Sequence, residues 1–320
     1  MSFPNVSDIV ATTIQSRSKK IADSVTDNNA LLKRMNQRGN IKTASGGNLI
    51  YQELSYAENG NAGWYSGYDV LPIGASDVIT AAEFSWKQAA VPVVISGLEQ
   101  LQNSGKEQMI DLLESRISVA ESTMANLLSE AIYSDGTGNG GKEITGLNAA
   151  VPTDPTTGTY GGINRATWTF WRSLYASGTT ATSANIISLM NDLYVQLCRG
   201  ADHPDLIIAD NNMYTLYLDA LQAQQRFTST DMAQAGFPTI KYMNSDVMLD
   251  GGIGGNMPAN TMFFLNTKYI HYRPHAQRNI VPLSPNKRHA INQDAEVQIM
   301  AWAGNMTTSG AKFQGRLNGA

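Results

Sequence analysis

The sequence predicts an α+β fold, and three stretches carry that prediction. Residues 104–134 place Met109, Leu113, Ile117, Ala120, Met124, Leu127 and Ala131 at steps of three and four, the spacing of one apolar face on a continuous helix. Residues 48–95 change to strand character, with Leu49-Ile50-Tyr51-Gln52-Glu53-Leu54 going out and Phe84-Ser85-Trp86 with Val91-Pro92-Val93-Val94-Ile95 coming back. Further on, Pro204-Asp205-Leu206-Ile207-Ile208-Ala209 reads as a short buried strand. An Asp210-Asn211 cap and a helix through Tyr214, Leu218 and Leu221 follow it.

At 320 residues the chain can bury a substantial core without staples. Its one cysteine, Cys198, excludes an internal disulfide framework and a multi-cysteine zinc site, fits a reducing compartment, and is expected as a small buried hydrophobe. The opening MSFPNVSDIV has no basic region followed by an apolar run, and no stretch approaches the roughly 18 apolar residues of a membrane span. Neither a signal peptide nor a membrane partner is expected. The net charge of −4 is unevenly placed. Arg17, Lys19, Lys20, Lys33, Arg34, Arg38 and Lys42 outnumber Asp8, Asp23 and Asp27 in the first 47 residues, so a basic arm precedes an acidic body. Such an arm can be solvated, face a protein partner, or touch a polyanion such as DNA without sequence readout.

Taken in order, residues 5–36 carry Ile9, Val10, Ile14, Ile21, Val25, Leu31, Leu32 and Met35 at loosely helical spacing. That stripe is too thin for a core, so it must lie on the body or on a neighbouring subunit. Gly46-Gly47 ends the arm. A two-stranded flap follows, with Trp64, Tyr65 and Tyr68 near its tip. A hairpin of two strands is marginal in water, so these rings either fold back on their own domain or are covered by another chain. The long helix would run roughly 40–45 Å at 1.5 Å per residue, the dimension of a beam. Its polar face, with Lys106, Asp111, Glu114, Arg116, Glu121 and Glu130, holds no catalytic cluster. Beyond a glycine loop, residues 166–171 read as an aromatic core segment and residues 183–197 as a second helix. Strands are expected at 237–240, 261–265, 269–272, 295–302 and 312–317.

The glycine loop mimics two nucleotide motifs. Gly136, Gly138 and Gly141 match G-x-G-x-x-G, and Gly136 with Gly141-Lys142 matches most of a P-loop. A phosphate cradle follows a strand and opens a helix, whereas these glycines follow a helix, and Glu143 stands where the P-loop hydroxyl should be. The loop is read as a helix-terminating turn. His271 and His275 are separated by Pro274 in a strand-like setting, where residues four apart stand about 13 Å apart, too far to share one ion. His203-Pro204-Asp205 has no nucleophile elbow to complete a triad, and Asp294 with Glu296 is unspecific. No enzyme, cofactor or metal is expected.

In this order the elements resemble the tailed-phage major capsid protein family, with its Hong-Kong-97-type fold. The residues that carry the likeness are Asp135-Gly136-Thr137-Gly138-Asn139 with Gly146-Leu147 after the long helix, and Ser85-Trp86-Lys87-Gln88 on the returning flap strand. Ile207 to Tyr214 as strand-to-helix and Gly236-Phe237-Pro238 add to it. The resemblance implies an N-arm at 1–47, an E-loop at 48–97, a peripheral domain at 98–199 and 286–320 with its spine helix at about 104–134, and an axial domain at 200–285. It implies self-assembly as hexamers and pentamers into an icosahedral virion head, built in a bacterial cytoplasm around packaged DNA. Scaffolding, portal and decoration proteins are the partners it brings, and an encapsulin-like cargo shell is the alternative. Trp64, Tyr65, Tyr68, Arg17, Lys20 and Arg34 are the intersubunit contacts expected. Two departures stand out. The arm begins almost at Met1, so a separate scaffolding protein or prior processing is expected. Residues 57–86 contain no lysine, so the family's lysine–asparagine cross-link does not carry over and non-covalent stabilisation is expected instead.

Overall fold

The computed structural model describes residues 29–102, 106–221, 239–250, 256–283, 288–289 and 294–319. Arg17, Lys20 and the Gly236-Phe237-Pro238 stretch lie outside them, as do the side chains of Met109 and Leu113.

Helix α1 (Ala30–Gln37) starts where the Asn29 side chain accepts from the N–H groups of Leu31 and Leu32 at 3.0 and 3.2 Å. It turns Leu31, Leu32 and Met35 fully inward, so this part of the arm lies on its own body. Residues 40–44 then run beside a later strand, Lys42 N–H donating to the Tyr272 carbonyl and Ala44 N–H to that of Pro274.

Strands β1 (Leu49–Ser55) and β2 (Ile79–Ser85) pair antiparallel from Leu49 opposite Ser85 to Ser55 opposite Ile79. Alternation places Ile50, Leu54, Ala82 and Phe84 on the covered face. The pairing of the two flap strands ends at Ser85. Strand β3 (Lys87–Ser96), read from sequence as its continuation, leaves the flap and pairs with residues 295–304 along its whole length. Ten ladder positions outweigh a hairpin extension, and Pro92, which has no N–H to give, is tolerated because β3 lies at the sheet's edge.

Helix α2 (Lys106–Ile132) is the long beam, and 27 residues span about 40 Å. Its buried stripe is Ile117, Ala120, Met124, Leu128 and Ile132, while Leu127 is 40% exposed. The sequence reading stepped from Met124 to Leu127, whereas burial steps by four to Leu128.

Beyond α2 the chain forms β4 (Leu174–Ala176), α3 (Ile186–Leu197), β5 (Leu206–Ala209), α4 (Asn211–Leu221), β6 (Thr239–Tyr242), β7 (Ser245–Leu249) and β8 (Thr261–Leu265). Then come β9 (Ile270–Pro274), β10 (Val281–Pro282), β11 (Arg288–His289), β12 (Ala295–Thr308) and β13 (Gly315–Asn318). Two sheets organise these strands. One has the order β4-β13-β8-β5-β7-β6, and the other is built on β12, flanked by β3 on one side and by β9, β10 and β11 on the other. The domain segments expected from sequence cut differently from these sheets. Residues 174–197 and the terminal strand β13 belong with the first sheet, whereas β9 at 270–274 belongs with the second. Pairing between distant strands sets membership, and local pattern does not encode it.

The first sheet joins two cores. Ile207, Ala209, Met262 and Phe264 face α3 and α4, while Leu206, Ile208, Phe263 and Leu265 face the larger core of α1, the flap, α2 and β12. Period-two alternation along β5 and β8 thus makes one layer serve both sides. Cys198, expected buried, is exposed because α3 ends at Leu197 and the cap residue turns to extended backbone. Burial of part of the group raises its thiol above its ordinary value, so it stays protonated.

Candidate assembly surfaces

Residues 56–78 form the flap tip, whose polar bonds are mostly internal. Asn61 Nδ2 donates to the Gly74 carbonyl at 2.5 Å, and Ser66 N–H donates to Asp69 Oδ2 at 2.7 Å. Among the described residues nothing covers the aromatic groups: Trp64 is 103% exposed, Tyr68 105% and Tyr65 68%, with Val70 and Ile73 equally open. Several large apolar groups exposed on one segment make it a candidate contact surface.

Arg34 lies elsewhere. Its Nε donates to Asp205 Oδ2 at 2.9 Å, and a second guanidinium nitrogen stands 3.6 Å from Asp246 Oδ2. Arg38 joins at 3.3 Å and Lys241 pairs with Asp246 at 2.8 Å. Asp205 also accepts from Thr267 N–H and Oγ1–H at 2.7 and 2.8 Å. Arg34 is thus engaged within its own chain, where it pins the arm helix to β5 and β7. Sequence reading missed this bracket because Asp205 sits in a His-Pro-Asp loop with no local mark of its distant partners.

At the end of α2, the glycine loop is a turn closed by its own acid. Ser134 Oγ donates to Glu143 Oε2 at 2.6 Å and Asn139 Nδ2 to Glu143 Oε1 at 2.7 Å. Gly136, Gly140 and Gly141 take positive φ, and Gly146 packs against the carbonyls of Ala131 and Ile132. Glu143, the residue that breaks the P-loop pattern, holds the turn together, and Lys87 Nζ donates to the Gly141 carbonyl.

Asn305, wholly buried, ties three elements: its Nδ2 donates to the Ser85 carbonyl at 2.8 Å and its Oδ1 accepts from Thr145 N–H at 2.9 Å. At the flap's underside, Gln52 Oε1 accepts from Arg273 at 2.9 Å and from Thr307 Oγ1 at 3.1 Å. His271 on β9 is buried beside Arg273 and Lys42. Burial first, then those two cations, lower its imidazole to about 4. Where α2 meets β7, Tyr133 OH donates to Asp250, whose carboxyl burial holds above its ordinary value. Among the described residues no group of three metal-ligating side chains occurs. No described helix is long and apolar enough to cross a membrane.

No family model matches the sequence, and no curated protein does. Solved structures do match. A cyanophage A-1(L) capsid protein aligns over 87% of this chain and 90% of its own, at TM-score 0.59 and 16% identity. The capsid of a native GTA particle aligns over 88% and 89%, at 0.56 and 14%. This chain has the Hong-Kong-97-type capsid fold. A holo-SrpI encapsulin complex from Synechococcus elongatus also shares the fold, over 90% and 87%, at TM-score 0.50 and 9% identity. The fold is therefore shared by phage capsids and by an encapsulin.

Proposed function

We propose that this chain is a major capsid protein whose copies join as hexamers and pentamers into an icosahedral head around phage DNA. The observation that carries this reading is the flap tip: Trp64, Tyr65, Tyr68, Val70 and Ile73 are exposed on a fold otherwise found in shells. A second copy is the natural cover for such surface. The flap would serve as the E-loop, α2 as the spine, and the sheet of β4 to β8 with β13 as the axial domain. Trp64, Tyr65 and Tyr68 are the proposed contacts, joined by Arg17 and Lys20. Arg34 is proposed with them, its guanidinium already oriented by Asp205 and Asp246 of its own chain. Scaffolding, portal and decoration proteins, and non-specific contact between the arm and DNA, belong to the same reading, as does assembly in a bacterial cytoplasm. The same reading gives the chain a structural role and not an enzymatic one.

The encapsulin alternative is supported by a similar structure at a TM-score of 0.50, below the 0.59 of the cyanophage capsid. Negative-stain microscopy of the expressed full-length chain should show closed shells; only monomers or amorphous aggregate at every concentration would sink the proposal. Ultraviolet absorbance of native particles then separates a DNA filling from protein cargo.

A further inference from the structure

At the neck of the flap, β1 ends and β2 begins, with Tyr56 N–H donating to the Val78 carbonyl at 3.1 Å. There the hairpin meets the segment at residues 163–170. Tyr56 stands 5.9 Å from Trp168 at 70° and 5.4 Å from Phe170 at 32°, and Trp168 stands 6.0 Å from Phe170 at 64°. These rings wall an open cavity of about 270 Å³, with Asp77 and Thr80 as its polar members. The stretch read from sequence as aromatic core is thus divided: Trp171 is buried, but Trp168 is 46% exposed toward this cavity.

The rings touch one another, so a guest cannot pass between them and must lie on the wall. An aromatic face attracts a cation within about 6 Å of its centroid, and a carboxylate alongside adds its charge. Among the described residues no hydrogen bond or ion pair reaches Asp77. The arginines nearby are committed: Arg165 donates to the carbonyls of Ala149 and Ala150, and Arg172 to those of Arg165 and Ala166. Residues 48–86 hold Glu53, Glu58, Asp69, Asp77 and Glu83 with no lysine or arginine, so the flap supplies no cation of its own. The complementary charge is in the arm, where Arg17, Lys19 and Lys20 fall within four residues, the densest positive run in the chain.

We propose that the wall of Tyr56, Trp168 and Phe170 beside Asp77 is a receptor for the Lys19 or Lys20 ammonium of a second copy's arm. This rests on the shell reading, since the guest comes from another subunit. Occupation would fix the flap at its neck, where the paired strands give way to the unpaired tip.

The test uses particles assembled from a mixture of nitrogen-14 and nitrogen-15 full-length chain, treated with a carbodiimide that joins touching carboxylates and amines directly. An amide between Asp77 and Lys19 or Lys20 is expected, found in heavy–light pairs by mass spectrometry. Trp168→Leu should lower the linked fraction about threefold, the scale of one cation–π contact, and Glu58→Gln should leave it unchanged. Particles without the link, with it only inside single chains, or with it unaffected by Trp168→Leu overturn the receptor and leave the shell reading standing. Absence of particles overturns both.

Discussion

The arm helix and the flap tip are both short amphipathic pieces, yet Leu31, Leu32 and Met35 are fully covered while Trp64, Tyr68 and Ile73 stand in solvent. What separates them is a receptor. The arm helix has an N-cap, an apolar seat and two buried carboxylates, Asp205 and Asp246, that orient Arg34 and Arg38. Among the described residues the tip bonds mostly to itself and, beyond Tyr56 at its neck, has none of these anchors on the body. An apolar stripe with a built seat becomes core, and one without it stays exposed on its own chain and open to the contacts proposed above. The body's stability should therefore depend on the first and ignore the second.

Deleting residues 58–76 should break the comparison most visibly. The body keeps its unfolding temperature, while closed shells disappear from micrographs; shells from the shortened chain would refute the role given to the tip. Leu32→Ala reverses the pattern. Truncating this buried leucine should cost about 2–5 kcal/mol in urea unfolding, whereas Trp64→Ala should stay within about 0.5 kcal/mol.

Acid sharpens the contrast further. His271 lies on β9, the strand that receives arm residues 40–44, and its folded value of about 4 lies below the ordinary 6.5. The unfolded chain thus binds the proton first, so this contribution is intact above 6.5 and falls as pH drops toward about 4. His271→Gln should flatten the urea midpoint across that window. Asp250 acts in the opposite sense: its raised carboxyl makes the folded chain take up the proton first, so acidification relieves a penalty there. Asn29→Ala is the mildest change. It removes the cap's two N–H contacts and should cost about 1 kcal/mol in the same assay, with particles still forming.

Much of this was legible locally. The beam helix, the β5–α4 unit and the flap's first strand follow from apolar periodicity and a cap, because neighbours in sequence decide them. The destination of β3 was not legible, since Val91-Pro92-Val93-Val94-Ile95 suits a flap or a body sheet equally and β12 is two hundred residues away. The same applies to β13, to Arg34 and to the Tyr56–Trp168–Phe170 wall, each of which is defined by a distant partner. Leu127 and Leu128 show the finer limit, where a one-residue step separates the exposed side of a helix from the buried one.

Asn305 gives the flap a fulcrum. The Ser85 carbonyl it holds marks where the hairpin meets the body, and the Thr145 N–H it receives belongs to the turn that ends the beam helix. A load applied at the tip thus reaches the end of α2 through Asn305, alongside the Gln52 bonds to Arg273 and Thr307. In the proposed shell, tension would run along hairpin and beam, and the Tyr133–Asp250 bond at the end of α2 would hand part of it to the α/β sheet.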